Sequence, residues 1–320
     1  MAAEPPRPTE TIAGGDGNPP RVPASRRPWT IVLRSLPLGL LAVVLWREQP
    51  WTVGFSSSAP WAVLATIALN FTILLPLKAA RWRMALLAPP PFRQVLAATL
   101  EGLLANAAIG FGSGDLVRAA RLRHQHRQVA VDYACAWAER GAEVLALALL
   151  IFVTALLAEL GALALVLSGL AVAAYAAVLG TSRFLVPRLG HWPRVQHALS
   201  SGVEASTPRR VAIMVALSLL GWGSEILMLV LFQGAFDLPP SFRMALLTVV
   251  GINAAIVIPT LPGNFGTFEA GATMALLMCG VPRDVAVLYA LTYHLTHVVP
   301  VAIVATTVYL VRSRRSASRP

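Results

Sequence analysis

The chain is 320 residues long, 56% hydrophobic and only 13% charged, with a mean hydropathy of +0.66. A soluble domain carries about twice that charge and needs it to cover its surface, so a soluble globular protein is excluded, as is wholesale disorder. The net charge is +11, and its cations fall in short runs between apolar segments, which points to an anionic membrane surface and not to nucleic acid.

Residues 1–28 are rich in Pro, Gly and Arg and lack the apolar run of a signal peptide. They read as a disordered basic tail. Nine apolar segments follow, over 29–46, 60–77, 94–111, 130–157, 160–180, 209–233, 242–260, 263–280 and 285–311. They are too long and too uniformly apolar for barrel strands, so the expected class is an all-α, polytopic membrane bundle over 29–311. Residues 312–320 form a second basic tail.

Nine crossings would put the two basic tails on opposite sides, whereas the positive-inside rule places both in the cytoplasm. The basic residues lie in 78–93, 112–129 and 181–210, and the loops 47–59, 158–160 and 234–241 hold only Arg47. If the three basic stretches share the cytoplasmic side, segment 94–111 enters and returns, with eight full spans elsewhere. The glycines at Gly110, Gly112 and Gly114 suit a broken helix. Within 181–208 a short amphipathic surface helix is expected, with Trp192 at headgroup level. Cys135 and Cys279 lie in apolar segments and suggest neither a disulfide nor a metal site. Lys78 is the only lysine.

A charge at the bilayer centre costs about 2.5–3.5 kcal/mol on insertion scales, so such residues face a protein interior or a wet cavity. Here they are Glu101 and Asn106, Asp115 and Arg118, Glu139, Arg140 and Glu143, Glu225, Glu269, and His294 and His297. Arg140 and Glu143 are i,i+3, on one helix face. Glu139 and Glu143 are i,i+4 and repel unless a further cation joins them, for which Arg118 is the candidate. The alternative is an ion cluster at a helix end with a purely structural role. His294 and His297 also share a face. They suit hydrogen bonds to neighbouring helices or a proton path, and no further ligands at fitting spacing make them a metal site.

The stretch LPGNFGTFEAG, Leu261 to Gly271, breaks a helix with Pro262, Gly263 and Gly266 in an apolar setting. Such backbone is tolerated at membrane depth only where it is buried or lines a cavity. The helix restarting near Thr267 presents free N–H groups, with Glu269 in its first turn as cap or as site residue. The break after Asn106 and the break after Asn253 form a pair, which in transporters points to a binding site. No Walker A, GxSxG or HExxH motif is present.

These residues resemble the transmembrane, flippase-like domain family of lysylphosphatidylglycerol synthases. The resemblance rests on Arg81–Trp82, the Asn106…Gly114–Asp115…Arg118 stretch, Glu139–Arg140, and LPGNFGTFEAG followed by Gly280–Val281–Pro282, and covers roughly 30–311. Members usually carry a Pro shortly after the Asn of the second motif, absent here, and often Asp where Glu143 stands. The soluble aminoacyl-transferring domain of the full synthases is not in this sequence. The resemblance implies a transporter more than an enzyme, without cofactor or metal, in the cell membrane with both termini cytoplasmic. Its partner would be a membrane phospholipid or lipid-linked polar headgroup moved between leaflets, with a separate biosynthetic enzyme as a further partner. Arg118 and Arg140 are the phosphate candidates. Glu139, Glu143, Asp115, Glu269 and Asn106 would hold them or meet the headgroup. Gly114, Pro262, Gly263 and Gly266 would supply the hinges. The alternatives are a membrane-embedded transferase on lipid-linked substrates, a non-catalytic membrane partner of a lipid or glycan biosynthesis complex, and a small-anion or proton-coupled carrier.

Overall fold

The computed structural model describes residues 46–47, 54–110, 112–122, 129–157, 161–188, 192–256 and 262–317. The tail 1–28, nearly all of segment 29–46, Arg127 and Leu261 lie outside them. Among the described residues every regular element is a helix, as hydrocarbon demands of a chain that must pair its own backbone.

The first long helix, α1, spans Ala59–Ala85. Pro76 has no N–H for the turn before it, and the helix accommodates this with a π-helical stretch at Asn70–Leu74. From sequence the span ends at 77 and residues 78–93 form a loop. The helix continues instead, because Arg81 is no solvated loop cation: it is 7% exposed and paired within the protein.

Next come α2, Phe92–Ala108, and α3, Ser113–Arg121. The chain turns back between them through Gly110 and Gly112, at φ 111° and 80°. A Cβ on Gly114 would lie 2.3 Å from the Gly102 carbonyl oxygen, and one on Gly102 would lie 2.8 Å from that of Gly114. Moving from Gly114 to Arg118 along α3 moves the contact from Asn106 back to Gly102 on α2, so the arms are antiparallel. This is the expected return. Its second arm is made from the stretch read as basic loop.

The second break builds the same object. α8, Phe242–Ile256, and α9, Thr267–Met278, meet at Gly251 and Gly271, where a Cβ on Gly271 would come 2.3 Å from the Gly251 oxygen. Gly271 also approaches Ala255, and Gly251 approaches Ala275, again an antiparallel pattern. From sequence, 242–260 and 263–280 are two full spans. The described arms, 15 and 12 residues, reach only about 22 and 18 Å at 1.5 Å per residue, short of a core about 30 Å thick. They form a hairpin. The two tips touch: a Cβ on Gly110 would lie 3.9 Å from Pro262 Cα, and one on Gly263 3.5 Å from the Ala107 oxygen.

Around the hairpins stand α4, Val129–Leu157; α5, Ala162–Leu185; α7, Pro208–Gln233; and α10, Arg283–Ala317. Among the described residues four helical stretches are long and apolar enough to cross a membrane on their own: Ala59–Ala85, Ser168–Arg188, Pro208–Phe236 and Arg283–Val311. The amphipathic helix expected within 181–208 is α6, Pro193–Ala205, with Trp192 exposed at its start and Gly202 against the Ala134 carbonyl of α4. Helix α10 runs through much of the basic C-terminal stretch.

One core cluster joins Phe232, Met228 and Leu229 of α7 to Tyr289 and Tyr293 of α10. A second packs Trp82 and Ala79 of α1 against Ala98 of α2, Cys135, Ala138 and Ala142 of α4, and Met214 of α7. Its many alanines let helix backbones approach closely, as membrane packing favours. The polar residues cluster between these two regions.

Candidate functional site

The polar residues that sequence singles out converge where α1, α3 and α4 meet. Glu139 lies ten residues, about 15 Å, into α4, and is 1% exposed. It accepts a hydrogen bond from Arg81 Nε at 2.9 Å. Its other oxygen lies 2.5 Å from Arg118 Nη2, a close ion pair without hydrogen-bond alignment. Arg118 also meets Asp115 Oδ1 at 2.8 Å. Arg140 then grips Asp115 with two donors, Nε at 3.2 Å and Nη2 at 3.1 Å, and turns Nη1 to Glu143 Oε2 at 2.8 Å. Glu143 returns to Arg81 Nη2 at 3.0 Å.

The pairs close on themselves. In the order Arg81, Glu139, Arg118, Asp115, Arg140, Glu143 and back to Arg81, every arginine holds two acids and every acid two arginines. The ring is neutral, and its geometry follows from local structure. Glu139 and Glu143 are one helical turn apart and share Arg81, which removes the repulsion expected between them. Asp115 sits in the first turn of α3, where the helix dipole favours an acid. Asn106 fixes that turn by accepting from the Gly114 N–H at 2.7 Å. Arg81 Nη1 donates to Ser218 of α7 at 3.1 Å, and the Arg118 guanidinium lies 4.7 Å from the centre of the Trp82 ring.

Ring burial is graded. The Arg81, Arg118 and Glu139 side chains are almost fully buried, whereas that of Arg140 is 43% exposed. A cavity of about 140 Å³ lies against the ring, bounded also by Lys78, Thr99 and Asn106. At about 30 Å³ per water it has room for a few waters or one phosphate-sized group.

A second polar group lies at α7, α9 and α10. Glu269 does what its place in a first turn suggests, accepting from the Gly266 N–H at 2.7 Å. Its other oxygen is 2.8 Å from His294 Nδ1, so the cap also holds α10. His294 packs between the rings of Phe265 and Phe268. His297, one turn on, faces Glu225 of α7. Thus Arg118, Arg140, Glu139, Glu143 and Asp115 come together, and Asn106 and Gly114 brace them. Glu269, His294 and His297 form a separate group, and Pro262, Gly263 and Gly266 lie at the second hairpin's tip.

Two residues were missing from the sequence-based site: Arg81 and Lys78. Arg81 was legible in the charge count, since Asp115, Glu139 and Glu143 outnumber Arg118 and Arg140 by one. Lys78 carries no such signal.

No curated protein and no solved structure matches the chain in comparison. The sequence model for the lysylphosphatidylglycerol synthase TM region matches residues 30–305. That match takes in both hairpins, all of the ring and the second polar group, and the chain belongs to the lysylphosphatidylglycerol synthase transmembrane-region family.

Proposed function

We propose that this membrane protein moves a lipid with a phosphate-bearing polar headgroup between leaflets, and that the headgroup passes through the cavity beside the ring. The observation that carries the reading is the closed ring itself, set against a polar cavity that the first broken-helix hairpin lines together with α1 and α4. Burying six charges is costly and contributes little net stability, so a purely structural role gives the ring a weak rationale. A neutral ring with one exposed arginine fits a headgroup path. It holds its own charges without water, and Arg140 offers its free edge to a phosphate. The paired breaks support the same reading, because such breaks mark binding sites in transporters. Gly110, Gly112, Gly263 and Gly266 give the tips freedom to separate while the Gly–Gly contacts hold the arms. In this reading the protein lies in the cell membrane with both termini in the cytoplasm, the side that the basic tails favour.

The test is leaflet exchange by the purified chain in liposomes with fluorescent anionic and zwitterionic phospholipids, read by dithionite quenching. Exchange above protein-free vesicles, lost in Arg140→Gln, is expected. No exchange of any lipid by folded protein refutes the reading.

A further inference from the structure

The second polar group sets two proton acceptors face to face. His297 Nδ1 lies 3.1 Å from the Tyr293 carbonyl oxygen, which can only accept, so Nδ1 carries a hydrogen. Nε2 then faces Glu225 Oε1 at 3.5 Å and has no hydrogen bond. The same Glu225 oxygen already accepts from the Tyr293 hydroxyl at 3.1 Å. In the neutral imidazole Nε2 is a bare lone pair, and it meets a carboxylate oxygen in a place where both side chains are mostly buried, 17% and 14% exposed. Two acceptors in this position repel. One added proton, on either partner, turns the contact into an attraction.

The surrounding charges connect this pair to the cavity. Lys78 of α1 feels Glu225 and Glu143 and bears on His297 as well. The other titratable groups nearby are Glu269 of α9, and His294 and Tyr289 of α10. Glu269 is already occupied by His294 and its own helix cap. Lys78 lines the cavity, and among the described residues its ammonium has no hydrogen bond and no carboxylate within salt-bridge distance. Because the ring is neutral, Lys78 decides the cavity's charge. With Glu225 anionic, the lysine is balanced. With a proton held between Glu225 and His297, the lysine is a surplus cation facing the cavity.

We propose that Glu225, His297 and Tyr293 form a proton-binding site that acts through Lys78, so that loading the proton and seating a negatively charged headgroup favour each other. This inference rests on the headgroup reading above and deepens it: the substrate class becomes anionic lipids, and the proton becomes the coupled ion. Linkage makes the coupling reciprocal. One linked proton changes the apparent affinity for the anion by up to about tenfold per pH unit, with tighter binding on acidification.

The experiment is a binding titration of the whole chain in uncharged detergent with dihexanoyl phosphatidylglycerol, and dihexanoyl phosphatidylcholine as zwitterionic control. Proton uptake is followed with an indicator dye in weak buffer at several pH values near neutrality. The parent takes up about one proton per phosphatidylglycerol bound and none with phosphatidylcholine. Glu225→Gln binds phosphatidylglycerol without uptake and without pH dependence, and His297→Gln behaves likewise. Lys78→Met loses the preference for the anionic lipid. Phosphatidylglycerol binding by the parent without proton uptake, or parental uptake in Glu225→Gln, overturns the proton site and leaves the headgroup reading standing. No binding of either lipid overturns both.

Discussion

Glu139→Gln probes the ring at its most buried member. The substitution keeps volume and one acceptor oxygen, which Arg81 or Arg118 can retain. The other oxygen becomes an amide NH2, a donor turned toward a guanidinium that is also a donor. The ring passes from neutral to a surplus of one positive charge at a side chain that is 1% exposed. Removing one partner from a buried ion pair costs about 3–5 kcal/mol. At about 2–4 °C per kcal/mol the unfolding midpoint falls by roughly 6–20 °C, measurable by thermal unfolding in detergent. Adding Arg118→Met removes the orphaned cation, and the double variant is expected to regain about 2 kcal/mol relative to the sum of the single losses. A loss below about 1 kcal/mol for Glu139→Gln, or strict additivity in the cycle, refutes the ring as a closed unit.

Gly114→Ala and Gly271→Ala each put a Cβ 2.3 Å from a facing carbonyl oxygen, so each hairpin must open at a cost of about 1–3 kcal/mol; Gly169→Ala, with open space around it, serves as control and is neutral or stabilising in the same melt. Asn106→Ala leaves the Gly114 N–H without its acceptor and costs about 1 kcal/mol by the same assay. Arg140→Gln, at the exposed end of the ring, lowers the midpoint far less than Glu139→Gln while abolishing lipid exchange, a split that a merely structural arginine does not give. A cysteine at Asn264, in a background without native thiols, stays unlabelled by impermeant maleimide added from the side opposite residue 279; labelling from that side shows two full spans in place of the hairpin.

Much of the site was legible because buried charge is rare in hydrocarbon, so each ionisable residue in an apolar segment marks itself. Asp115, Arg118, Glu139, Arg140 and Glu143 were found this way, and the need for one further cation was visible in their count. Hydropathy hid Lys78 and Arg81. A window that averages over residues closes a span at the first cluster of cations, and it cannot distinguish a cation in a loop from one in the last turns of a helix. Only the partners on α4 and α7 decide that, and partners are three-dimensional. Sequence put His297 in a proton path and Glu225 among the buried charges, but their pairing escaped for the same reason: they are 72 residues apart in sequence, and only the packing of α7 against α10 brings them together.

The two hairpins show a deeper limit. The charge rule singles out 94–111 because an odd number of crossings would separate the two basic tails. It is blind to the second hairpin, because a hairpin contributes no crossings and a pair of spans contributes two, so exchanging one for the other moves no terminus. The distinction comes from the described arms, 15 and 12 residues long, and from a Gly251–Gly271 contact that mirrors Gly102–Gly114. Aligned by these contacts, Asn106 and Arg118 of the first hairpin correspond to Ala255 and Ala275 of the second. The same backbone device has thus been given polar residues once and alanine once. The first hairpin supplies Asp115 and Arg118 to the ring. The second meets the first at its tip, and its acid, Glu269, is committed to its own helix cap and to α10. Among the described residues none of its side chains pairs with the ring or lines the cavity, and Glu269 ties it to His294, one turn from His297. That asymmetry makes the polar hairpin a wall of the cavity and leaves the apolar one to pack behind it.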